Sequence, residues 1–164
     1  MDLLDRLFEH ERWATATLLD VCREMTDAQL DQPFDIGHRT LRATFEHMIF
    51  DSVEVWTAEM AGRQPEAQPD DRSIAALIDR YECSYAGFAA VARRARDEQR
   101  LEDTFVDHFG APMTFGGAIL MVVLHGEEHR SEARHILHRL SVPDVPEVDH
   151  GLWDFVRRGL YQPS

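Results

Sequence analysis

His125 and His129 stand four residues apart in a helical run that ends at Leu140. A four-residue step on an α-helix turns by about 40°, so both imidazoles leave one face about 6 Å apart. Two nitrogens at that reach can grip one metal ion through bonds of about 2 Å. Both histidines fall in the stripe of Phe115, Ala118, Val122, Ile136 and Leu140, where a ring nitrogen is costly unless something satisfies it. His47, in TFEHMIFDSVEVW, is one residue from the apolar line through Phe45 and Met48 and can point inward from a neighbouring wall. A third imidazole would complete a His₃ site and leave coordination positions open for water or substrate.

Spacing alone is a weak signal, because H-x-x-x-H arises often by chance and a lone helical histidine is usually satisfied or solvated. The zincin arrangement H-E-x-x-H is missing, since Gly126, Glu127 and Glu128 separate the pair. Both acids should lie on the outer side of the helix, and no catalytic residue can be named. His135 and His138 fall on the flank and the far side. His10, His38, His108 and His150 sit beside acids, arginines or turns and read as surface residues. Arg42 and Arg130 are candidate anchors for a carboxylate-bearing cosubstrate, with an ordinary ion pair as the blander role. Asp51, one turn after His47, could orient that ring.

Four long amphipathic segments must position these groups. Leu3–Met25 reads as the first helix. Thr26 resembles an N-cap with Gln29 as capping-box partner, followed by the short turn Asp27–Leu30. After a connection holding Pro33 and Gly37, Thr40–Ala61 reads as the second long helix, stopped by Gly62. Ser73 caps a third, from Ile74 to about Gln99. Leu101–Met113 departs from the helical pattern and suggests a small hairpin, a possible cover for the site mouth. Thr114 caps the fourth long helix, and Asp149–Leu160 suits a short closing one. With no convincing strand series, these elements predict an all-α fold, a four-helix bundle. Connections of about 10 to 14 residues are long for a simple hairpin bundle, so at least one crossover connection is expected.

The chain has 164 residues, 44% of them hydrophobic, enough for a single domain over 1–164. No stretch reaches the roughly 20 apolar residues of a membrane span, and the start lacks the marks of a secretory signal. Cys22 and Cys83 suggest reduced, buried thiols rather than a disulfide framework, and a cytoplasmic protein. All 17 basic residues are arginine, which excludes Schiff-base and phosphate-loop lysine chemistry. A formal charge of −13 repels nucleic-acid phosphates, so no nucleic acid and no membrane is expected as partner.

Three stretches together resemble the DinB/YfiT-like family of metalloenzymes over nearly the whole chain. HERWATATLLDVCREMTDAQL is similar to the family's first helix. LRATFEHMIFDSVEVW is similar to its second, with His47 nine residues before Trp56. LHGEEHRSEARHIL resembles its H-G-x-x-H-R-G-Q signature, although Ser131 and Glu132 replace the Gly-Gln. The resemblance implies a four-helix bundle, one divalent metal ion (zinc or nickel) on His47, His125 and His129, and a homodimer. It also implies a small-molecule substrate, with a low-molecular-weight thiol activated for S-transfer or isomerisation as the leading reading. A hydrolase activating water, or a non-catalytic metal-binding stress-associated bundle, are the alternatives. Glu132, an acid where a neutral amide is usual, could accept an imidazole N–H and raise that ring's basicity.

Overall fold

Leu3–Val21 folds as α1 because Phe8, Ala14, Leu18 and Leu19 recur on one face, all at most 1% exposed, behind an Asp2 N-cap. The computed structural model describes residues 1–161. A 3₁₀ turn, Cys22–Glu24, ends α1, and α2 is the single turn Asp27–Leu30. Thr26 and Gln29 form the expected capping box around it. The second long element is not one α-helix. It runs as α3 (Leu41–Glu46), an i→i+5 segment (His47–Glu54) and α4 (Val55–Met60). Such π turns gather at functional sites, and this one begins at His47. Then follow α5 (Ile74–Asp97), the antiparallel pair β1 (Thr104–Val106) and β2 (Pro112–Thr114), α6 (Phe115–Arg139) and α7 (His150–Arg157).

Side-chain pairs fix the arrangement. Arg93 meets Asp5 and Arg12 meets Glu82, so α5 runs antiparallel to α1. Arg72 meets Glu46 and Arg80 meets Glu54, so α5 runs parallel to the second long element. The connection over residues 61–73 must therefore travel back along that element's length. This is the expected crossover. The second long element packs on α5 and α6, and α1 packs on the other sides of those two. One apolar core results, with Phe8, Phe45, Ile49, Phe88, Val122 and Ile136 buried in it.

The two cysteines part company. Cys22 is buried and burial pushes its thiol up to about 12, whereas Cys83 is exposed, against expectation. The hairpin sits beside Trp56 and Glu59, far along the second element from His47, so it does not cover that end. No helix among the described residues is long and apolar enough to cross a membrane.

His10 also departs from its surface assignment. It is 7% exposed, lies against Trp153 and donates Nε2–H to the Val148 carbonyl. Burial pushes its imidazole below the ordinary value, and the Val148 bond only partly opposes this. The unfolded chain takes up a proton near pH 6.5 while the folded chain resists it. Its contribution is therefore complete above about pH 6.5 and lost as pH falls. Denaturant unfolding of the protein and of His10→Gln at several pH values should show a difference that shrinks on acidification.

Candidate metal centre

Three imidazoles meet between the second long element and α6. His47 Nε2 lies 2.8 Å from His125 Nε2, which lies 3.0 Å from His129 Nε2. The four-residue step on α6 brings His125 and His129 out on one face, and the start of the π segment aims His47 at them.

Carboxylates hold two of these rings from behind. His47 donates Nδ1–H to Asp51 Oδ2 at 3.1 Å, and His129 donates Nδ1–H to Glu132 Oε2 at 2.7 Å. With Nδ1 protonated, the neutral ring leaves an Nε2 lone pair, and both lone pairs face His125. His125 Nε2 can carry one proton and satisfy only one of them. At least one lone pair is thus left without a donor in a half-buried space, an arrangement a shared cation relieves. The carboxylate–imidazole pairs are those that orient metal-binding histidines.

Burial, and then the neighbouring imidazoles His129 and His47, push His125 below the ordinary value. His125 is therefore neutral at pH 7, the form metal binding requires. The donor set suits a divalent ion.

One further imidazole stands at the cluster. His38, read from sequence as a surface residue, stacks on His47 with ring centroids 3.9 Å apart and planes 25° from parallel. Its ring centroid is 5.1 Å from that of His129. A nitrogen from each of His38, His47 and His129 lies within 4.8 Å of the other two. The adjacent Gly37 sets its place. It adopts φ +42°, and a Cβ there would strike the Glu132 carboxylate.

The arginines take the blander role. Arg42 bonds Asp27, Asp31 and the Arg72 carbonyl, tying α2 to α3. Arg130 is 1% exposed and bonds Glu11, Thr15 and Glu127. Gly126 permits this, because a Cβ there would collide with Glu11 Oε1. Glu127, Glu128, His135 and His138 face outward as expected, and His108 and His150 are exposed. Trp56 and Trp153 are core residues.

Glu132→Gln, which restores a neutral amide, keeps an acceptor for His129 Nδ1–H but removes its charge. Zinc affinity should fall about tenfold, as for other outer partners of a metal-bound imidazole, in a competition titration against a chromophoric chelator.

An all-α fold with a carboxylate-braced imidazole cluster between two of its long elements defines a helical protein whose histidines could hold a metal ion. The chain belongs to the DinB superfamily, whose family model matches residues 11–133. That span includes His47, His125 and His129. Its fold is similar to that of a DinB-like protein from Bacillus cereus ATCC 10987, known from a crystal structure. The two align with a TM-score of 0.70 over 89% of this chain and 95% of that one, at 22% identity. No curated protein matches the chain.

Proposed function

We propose that the chain is a metal-dependent enzyme in which His47, His125 and His129 hold one zinc or nickel ion. In this reading it activates a low-molecular-weight thiol for transfer to an electrophilic small molecule. The observation that carries the reading is the convergence of three Nε2 atoms, 2.8 and 3.0 Å apart in sequence around the cluster, with two rings braced by carboxylates. A divalent ion there would supply Lewis acidity, bringing a thiol to its thiolate form near neutral pH.

The chain's own residues do the rest. Asp51 and Glu132 fix the tautomers of His47 and His129 and keep both lone pairs inward. His47 retains 21% side-chain exposure, which leaves a small molecule a way in, while His129 at 7% anchors the inner side. Thiol activation is favoured over water activation by what surrounds the cluster. A free thiol with pKa about 8.5 needs modest help, whereas water, a far weaker acid, gains from a base beside it. Asp51 and Glu132, the carboxylates bonded to the cluster, already accept from Nδ1.

The test is product formation with a panel of low-molecular-weight thiols and an electrophile, using zinc- or nickel-loaded protein against chelated protein. Turnover that needs both metal and thiol is expected. Ester cleavage without thiol dependence would reassign the site to hydrolysis, and inactivity throughout would leave an ion that only staples helices. A homodimer is part of the proposal. Leu120, Met121 and Leu124 leave an apolar stripe exposed on α6 that a second copy could cover.

A further inference from the structure

We propose that His38 is a fourth imidazole ligand of the metal-loaded protein, delivered by a loop rather than by a helix. This rests on the metal site proposed above and adds a residue to it.

The loop is built to hold that ring in place. The Phe34 N–H donates to the Arg39 carbonyl and the Arg39 N–H to the Ile36 carbonyl, each at 2.7 Å. Gly37 and Arg39 take φ values of +42° and +73°, a tight reversal with His38 between them. Gly37 is pressed against the carboxylate that braces His129, so the loop rests on the centre's own support. Among the described residues, neither ring nitrogen of His38 makes a hydrogen bond, whereas His47 and His129 are both committed at Nδ1.

The His38 ring stacks on that of His47, with 3.9 Å between centroids. A side-chain rotation from that position turns a nitrogen already near those of His47 and His129 towards the same centre. Four imidazoles need not close the site. An ion that takes six donors, as nickel can, would keep places for thiol and substrate beside four imidazoles.

Two variants test this. His38→Gln removes ring and ligand together, while His38→Phe keeps a ring to stack on His47 but offers no donor. Zinc affinity by competition titration and the number of bound imidazoles by X-ray absorption are read for the full-length protein and both variants. Expected are an affinity loss of at least tenfold in both and an imidazole count falling from four to three. A wild-type count of three, or an affinity for His38→Phe equal to wild type, overturns the proposal. His125→Ala serves as the control: if it alone loses metal, the three-histidine site stands without His38. If His125→Ala binds zinc like wild type, the underlying site itself fails.

Discussion

The His125→Ala protein, purified without a histidine tag, is expected to carry almost no divalent metal, against about one ion per chain for the unaltered protein. His125 stands between the other two imidazoles, with Nε2 separations of 2.8 and 3.0 Å, so its removal leaves His47 and His129 without the donor that bridges them. An affinity loss beyond about a hundredfold is expected, the upper end of what losing an outer partner costs. Elemental analysis and zinc competition report it directly. The fold should survive, because His125 is only part-buried and its ring belongs to no other hydrogen-bonded pair among the described residues. Equal metal content in both proteins would remove the site, and with it the proposed chemistry.

The second large effect is on stability. Glu11→Ala is expected to cost about 3 kcal/mol in denaturant unfolding, the lower end of the range for breaking a buried ion pair. Arg130 and Glu11 have side chains 2% and 4% exposed, and removing the acid strands a guanidinium in the interior. The lower end applies because Thr15 and the exposed Glu127 still reach that guanidinium. Arg130→Met should cost less, because its partner has an escape. Burial pushes the Glu11 carboxyl above its ordinary range despite the pull of Arg130, so once alone it can be protonated. With a raised folded value, the contribution is complete below the unfolded pKa and lost as pH rises through the folded one. Ionising Glu11 is thus a cost at neutral pH, while Glu11 and Glu127 hold the Arg130 guanidinium charged against its burial. Glu11→Leu combined with Arg130→Met should therefore be far milder than Glu11→Ala alone.

Much of this was legible from residue order, for identifiable reasons. The α6 pair was visible because a four-residue helical step is a local property, and His47 because it lay beside an apolar line. The capping box at Thr26, the caps at Ser73 and Thr114 and the hairpin were local as well. His38 was not legible, since its place is set by a loop reversal that seats Gly37 on Glu132, ninety-five residues away. His10 was misread because the Val148 carbonyl and Trp153 that bury it come from the far end of the chain. The π segment escaped because HMIFDSVE holds no proline or glycine, and eight residues of apolar pattern cannot separate i→i+5 from i→i+4 bonding. The roles of Arg42 and Arg130 as braces depended on partners that only packing could supply.

A π turn is a helix with one surplus residue, and here the surplus falls between His47 and Glu54. Shortening that stretch by a single position would let an ordinary helix form straight through. Because the wide turn takes up that extra residue locally, α3 and α4 would keep nearly the same phase. The backbone ladder would lose little, and the change would fall on the stretch that opens at His47, whose ring reaches His125. An indel of this kind is a change most helices could not absorb quietly, whereas here the scaffold has room for it.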